Sequence, residues 1–195
     1  MKINIILGGV GGQGILSIAS IIGKAALSQG LYLKQSEVHG MSQRGGDVMS
    51  NLRLSSDEIF SDLIPEGQAD IIIGVEPMEA LRHLKFLKPD GWLVTNSRPF
   101  LNIENYTDRE LIYSEINKIK HHVLIDADKI ASEIGNSKVS NVVMLGAATP
   151  FLKIDENIII DAINSIFSNK GKNLVDINIK GLKAGILEAQ KMMVD

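Results

Sequence analysis

The sequence predicts a three-layer α/β/α domain built on a mostly parallel sheet, and three observations predict it. Short aliphatic, β-branched runs recur along the chain between glycine or polar residues, as strands buried on both faces do. The segments between them carry apolar residues at helical spacing. Strand and helix patterns alternate through the 195 residues without repeats, low-complexity tracts or a linker. That alternation implies one domain over residues 1–195, with helices covering both faces of the sheet.

Taken in order, residues 3–7 form a first strand that ends at Gly8-Gly9. Ile15, Ile18, Ile22, Ala25 and Ala26 then recur at helical spacing until Gly30 ends the helix. Residues 31–36 read as a second strand, which makes a βαβ opening. Residues 37–46 break into a polar, glycine-rich loop, and residues 47–54 alternate as a strand with one exposed face. Residues 71–75 are another buried strand. Pro77 follows at a favourable first helical position, with Met78, Leu81, Leu84 and Leu87 continuing that helix.

Pro89-Asp90-Gly91 reads as a turn into a strand at residues 92–95. Residues 97–120 are a polar excursion with one short helix, and residues 123–125 are the last central strand, followed by Asp126 or Asp128 as a helix cap. Ser140-Asn141 is expected to cap an apolar helix through Ala148, closed by Thr149-Pro150. Two helices finish the chain. The last places Val175, Ile179, Leu182, Ile186, Ala189 and Met193 on one face.

Composition excludes several functions. Hydrophobic residues make up 45% and charged residues 22%, an ordinary globular balance. A net charge of -3 without a basic cluster argues against nucleic-acid binding. With Cys 0 there is no disulfide, thiolate nucleophile or Cys-type zinc site, and no ligand set for an ordinary iron–sulfur cluster. One-electron chemistry linked to this chain must therefore run on another chain. The start has no signal-peptide pattern, and no apolar stretch approaches the roughly 18 residues of a membrane span, so a cytoplasmic protein with no membrane contact is expected.

Ligands of such sheets bind beyond the carboxyl ends of the strands, where this sequence places the turn at Gly9 to Gly14, Ser36-Glu37, Glu76, Asn96 and Asp126. One crevice is expected to gather them. Gly9-Val10-Gly11-Gly12-Gln13-Gly14 satisfies the Rossmann-like G-x-G-x-x-G pattern between strand and helix, where backbone N–H groups can face a phosphate. Glu37 lies where a ribose-binding carboxylate of an NAD(P) site would sit. The alternative is that the glycines only permit a tight turn and close packing.

The second loop concentrates Glu37, His39, Ser42, Gln43 and Arg44 around Gly40, Gly45 and Gly46. Neighbouring glycines leave the Arg44 guanidinium free to hold a carboxylate or phosphate, and His39 can transfer protons, so these two are the candidate catalytic residues. Against that stands the ordinary reading of solvated loop charges or a local ion pair. Glu76, Asp126 and Asp128 are equally explained as carboxylates at helix N-termini. His121-His122 has no partner at metal-ligand spacing, and no metal site is expected. A serine-hydrolase elbow and a P-loop lysine are both missing.

Four segments together carry a family resemblance. They are the glycine turn; Glu37-Val38-His39-Gly40-Met41-Ser42-Gln43-Arg44-Gly45-Gly46; Leu63-Ile64-Pro65-Glu66-Gly67 with Gly74-Val75-Glu76-Pro77-Met78-Glu79-Ala80-Leu81; and Asn141-Val142-Val143-Met144-Leu145-Gly146-Ala147. In this order they resemble the gamma domain of 2-oxoacid (pyruvate/2-oxoglutarate):ferredoxin oxidoreductases, most closely the small (beta) subunits of the indolepyruvate type. The His-Gly-Met-Ser-Gln-Arg-Gly-Gly stretch separates that type from the pyruvate and 2-oxoglutarate types. Residues 100–122 match nothing in the family.

The resemblance implies a subunit of an enzyme of amino-acid catabolism. Such an enzyme converts an aryl 2-oxoacid and coenzyme A to an aryl-acetyl-CoA, CO2 and reduced ferredoxin. Thiamine diphosphate and the iron–sulfur clusters are then expected on a larger partner subunit. The missing cysteines, and the missing Gly-Asp-Gly thiamine motif, agree with that division. The resemblance also carries a binding role onto Gly11, Gly12, Gln13, His39 and Arg44, and the two glycine-rich segments together make Gly9, Gly11, Gly12, Gln13, Gly14, Glu37, His39, Ser42, Gln43, Arg44, Gly45 and Gly46 the candidate cofactor-binding residues. An isolated chain should be inactive and is a candidate homodimer. The rival readings are a gamma subunit of other substrate preference, a stand-alone NAD(P)-dependent oxidoreductase and a scaffold without ligand contact.

Overall fold

A computed structural model describes residues 1–40, 46–101 and 105–193 of the chain. Its strands are β1 (Lys2–Val10), β2 (Tyr32–His39), β3 (Asp47–Ser55), β4 (Ala69–Gly74), β5 (Leu87–Asn96) and β6 (His122–Ile125). They form a single mixed sheet in the order β2-β3-β1-β4-β5-β6. From β1 through β4 and β5 to β6 every neighbouring pair is parallel, as expected. By contrast, β3 is antiparallel to both β1 and β2.

That insertion corrects two expectations. Helix α1 (Ile15–Ser28) does lead from β1 to β2, but β2 pairs with β3 and not with β1. The simple βαβ opening is therefore split. Strand β3, expected to expose one face, is buried along most of its length, whereas β2 is largely exposed. The more apolar arm of the hairpin, with Val48, Leu52 and Leu54, takes the interior position, and the polar arm Tyr32–His39 is left at the edge.

Alternation along the strands divides the core in two. Ile5 and Leu7 of β1, Ile71 and Ile73 of β4, Val94 of β5 and Val123 and Ile125 of β6 face one layer. That layer contains α1, α4 (Ala127–Glu133), α5 (Ser140–Ala148), α6 (Glu156–Phe167) and α7 (Lys172–Met192). Ile6, Ile72 and Leu93 face the opposite layer with Ala80 of α2 (Pro77–Arg82) and Ile112 and Ile116 of α3 (Arg109–Asn117). Both faces are covered, though unequally. Among the described residues no helix is long and apolar enough to cross a membrane.

Several local expectations shift. The helix after Pro77 stops at Arg82; Leu84–Phe86 is a 3-10 turn and Leu87 already opens β5. Pro89-Asp90-Gly91 lies inside β5, where the pairing with β4 jumps from Ala69↔Leu87 to Ile71↔Trp92. Proline has no N–H to give a ladder, so it sits at that irregularity. Ser140-Asn141 is not a cap. The 3-10 turn Ser137–Val139 runs directly into α5, whose N-cap is Val139 with no side-chain hydrogen bond. Asp126 does cap α4, accepting from the Lys129 N–H at 2.8 Å. Met193, expected on the buried stripe of α7, is exposed just beyond the helix end.

Candidate functional site

The glycine turn connects β1 to α1 at the carboxyl end of the central strand. Gly14 is the N-cap of α1 with φ 81° and ψ 24°, a left-handed conformation that glycine adopts without strain. No side chain caps α1, so amide groups of its first turn face outward. Gln13 is tied into the turn by its oxygen: Oε1 accepts the Val10 N–H at 2.7 Å. Asn141, from the start of α5, donates to the Gly14 carbonyl at 3.1 Å. Gly9 is a packing position, because a Cβ there would lie 2.3 Å from Val75 Cγ2.

Sequence reasoning singled out two glycine-rich segments separately, and the fold brings them together. The Gly11 N–H donates to the Gly46 carbonyl at 2.9 Å, and the Gly40 N–H donates to the Asp47 carbonyl at 2.8 Å. The base of the second loop is thus stitched to the first turn. Between them lies a hollow of about 300 Å³ lined by Val10, Gly11, Gly12, Gly14, Leu16 and His39, among others. His39 Nε2 lies 3.1 Å from Glu37 Oε2 on the edge strand. Ser42, Gln43, Arg44 and Gly45 lie outside the described residues.

The single expected crevice is in fact divided. On the other flank of the turn a second hollow of about 190 Å³ is lined by Gln13, Val75, Asn96, Phe100, Asp128, Ser140, Asn141 and Met144. Buried Asn96 organises it, donating to Asp128 Oδ2 at 2.7 Å and accepting the Ala127 N–H at 3.1 Å. Arg98 lines an adjoining hollow with Gln13, Phe100 and Asp128, its Nε 3.4 Å from Asp126 Oδ1. Glu76 belongs to neither hollow. Fully buried, it caps α2 and also accepts from the Phe100 N–H and the Tyr106 hydroxyl. Burial, and then the Glu76 hydrogen bond, hold the Tyr106 phenol protonated far above its usual range.

Glu37 also departs from the dinucleotide pattern. With β3 between β1 and β2, Glu37 is aligned with Ser50, itself opposite Leu7, two strands away from β1. That spacing is roughly 10 Å across the sheet. Its carboxylate is engaged by Gln35 and His39 and not turned to the glycine turn.

Sequence reasoning missed one cluster entirely. Asp47, Glu79 and His83 bring one ligand-type atom each within 4.8 Å of one another. Glu79 and His83 are four residues apart around α2, so both project from one face of it. Burial first, and then the neighbouring Asp47 charge, push the Glu79 carboxyl up to about 7, with Arg82 opposing. Burial lowers the His83 imidazole against the pull of Asp47. The only signal in the sequence was the Glu-His spacing after Pro77. The third member is distant in sequence and arrives by strand pairing.

Comparison with known proteins gives a consistent result. The chain is 37% identical over 202 residues to the indolepyruvate oxidoreductase subunit IorB of Pyrococcus horikoshii, covering 97% of each chain. It is 35% identical to the same subunit of Archaeoglobus fulgidus, over 97% of this chain and 96% of that one. Among solved structures, the keto/oxoacid ferredoxin oxidoreductase gamma subunit of Geobacter sulfurreducens shares the fold with a TM-score of 0.69 at 22% identity, covering 97% and 99% of the two chains. The pyruvate oxidoreductase subunit PORC of Thermotoga maritima does so with a TM-score of 0.73 at 21% identity, over 96% of each. The family model for pyruvate ferredoxin/flavodoxin oxidoreductase matches residues 4–188, and the chain belongs to that family of oxidoreductase subunits.

Proposed function

We propose that this chain is the small subunit of an indolepyruvate-type 2-oxoacid:ferredoxin oxidoreductase. In that role it completes an enzyme that decarboxylates an aryl 2-oxoacid and transfers the acyl group to coenzyme A, with ferredoxin as electron acceptor. The observation that carries the reading is end-to-end similarity, 97% of each chain at 37% identity, to a protein named as that subunit. Without a cysteine the chain offers no thiolate to an iron–sulfur cluster, which fits poorly with its holding the redox centres. Those centres, and thiamine diphosphate, are assigned to a larger partner.

The chain's own contribution is the joined edge formed by Gly11, Gly12, the first turn of α1, His39 and Gly46, and a binding role for Arg44 rests on the sequence resemblance. Outward amides at the N-terminus of α1 suit an anionic group, such as the phosphates of coenzyme A or a carboxylate. Gln13 holds the turn in shape through its Oε1 and also lines the second hollow. A stand-alone NAD(P) enzyme is disfavoured because β3 displaces Glu37 from the ribose position. The test is reconstitution. Purified chain and large subunit together should reduce viologen or ferredoxin in the presence of arylpyruvate and coenzyme A, and neither should do so alone. Full activity of the large subunit by itself would overturn the reading, as would micromolar NAD(H) affinity of the isolated chain in calorimetry.

A further inference from the structure

The Asp47, Glu79 and His83 cluster is not needed by the proposed activity, and it has the donor set and spacing of a metal centre. We propose that these three side chains bind a first-row divalent transition metal ion, with Zn2+ as the reference occupant.

The fold leaves two buried ligand-type atoms of this cluster poorly partnered. Glu79 and His83 are 5% and 6% exposed. Among the described residues, Glu79 Oε2 and His83 Nε2 are buried atoms without a well-formed hydrogen bond, the nearest group to the imidazole being Asp47 Oδ1 at 3.5 Å. Buried polar atoms ordinarily find a partner, and leaving a carboxylate oxygen and an imidazole nitrogen without one is costly. A cation placed between them and Asp47 satisfies both at once.

Geometry agrees. Two ligands at about 2.1 Å from a tetrahedral ion stand about 3.4 Å apart, and His83 Nε2 lies 3.5 Å from Asp47 Oδ1. All three ligand atoms fall within 4.8 Å of each other, so a modest rotation of the side chains gathers them around one ion. Arg82 Nε, 3.3 Å from Glu79 Oε1, occupies one carboxylate oxygen and leaves the other for the ion. Outer contacts of that kind orient ligands in metal sites. Strand β1 makes room for the imidazole: a Cβ on Gly8 would lie 2.7 Å from His83 Cδ2.

Chemistry then selects the ion. One imidazole with two carboxylates suits Zn, Fe, Co or Mn, whereas Mg2+ prefers an all-oxygen octahedron. Three protein ligands leave an open coordination position. The Asp47 side chain is 44% exposed, so water or a small anion can reach an ion held there.

The experiment uses the full chain without a histidine tag, stripped with a chelator and then titrated with Co2+, Zn2+ or Mg2+. One equivalent of Co2+ should give visible d–d absorption that Zn2+ abolishes, and Zn2+ should raise the melting temperature. Asp47→Asn, at a partly exposed position where folding is not at risk, should weaken Zn2+ binding by about tenfold or more. Glu79→Gln and His83→Gln should abolish it. Folding of each variant is checked by circular dichroism. Absence of a Co2+ spectrum would overturn the proposal. So would Zn2+ affinity undiminished in folded Asp47→Asn, or a melting shift equally large with Mg2+. Because every readout is on the chain alone, failure here leaves the subunit assignment standing, and failure of reconstitution leaves this site standing.

Discussion

Gly12 and Gly14 stand two residues apart in one turn, with φ 101° and 81°, and each holds a backbone that L side chains rarely adopt. Their surroundings differ. A Cβ on Gly14 would lie 2.4 Å from Asn141 Nδ2, the atom that ties α5 to the turn, whereas a Cβ on Gly12 meets nothing within 4 Å and points to the open hollow. Gly14→Ala should therefore cost the left-handed strain of about 1–2 kcal/mol plus the loss of the Asn141 hydrogen bond, about 1 kcal/mol more. Gly12→Ala should cost only the strain. Its effect should appear instead in the reconstituted enzyme, because the new methyl occupies space a ligand would need beside the α1 amides. Chemical denaturation of both variants, alongside turnover in the complex, separates the roles. A larger stability loss for Gly12→Ala than for Gly14→Ala would refute them.

Between elements, α5 and α7 approach each other closely through glycines. A Cβ on Gly146 would sit 2.1 Å from the Leu182 carbonyl oxygen, and one on Gly185 would sit 2.0 Å from that of Val143. Both obstacles are backbone, so no side chain can turn aside. Gly185→Ala should destabilise by about 3 kcal/mol, as overpacking of a tight core does. Gly181→Ala, one turn earlier, meets only Val139 and Val143 side chains at 3.4 Å and beyond, and should gain about 0.5–1 kcal/mol of helix propensity. Opposite signs in urea unfolding are the expected result; equal signs would remove the account. The apolar stripe of α7 was legible in the sequence as Val175, Leu182, Ile186 and Ala189. The contact those residues flank was not, because helical periodicity scores apolar side chains and is blind to a position that works by having none. Register shows the same blindness. Pro89-Asp90-Gly91 reads as a turn from composition, and only pairing with β4 reveals it as an irregularity inside β5.

For the whole molecule, the order of strands decides which motifs meet. Every strand was legible in the sequence, yet the place of β3 between β2 and β1 was not, since hairpin pairing competes with βαβ pairing through contacts distant along the chain. That one placement removes Glu37 from the glycine turn, brings Asp47 beside His83, and ties Gly46 to Gly11. The resulting edge also carries Leu16, half-exposed at the N-terminus of α1 and lining the first hollow. An apolar side chain left in water beside a ligand-type hollow fits a surface that a partner subunit or an acyl group covers. Leu16→Glu isolates that role. A carboxylate in the first turn of a helix is favourable by about 0.3–1 kcal/mol, so the chain alone should melt no lower than the parent. In the complex the same carboxylate meets both a desolvated contact and an anion drawn to the same amides. Arylpyruvate-dependent turnover, or affinity for the large subunit measured by surface plasmon resonance, should then fall by about tenfold, equivalent to 1.4 kcal/mol. Unchanged turnover and affinity in a normally folded Leu16→Glu chain would place the partner and its substrates on another face.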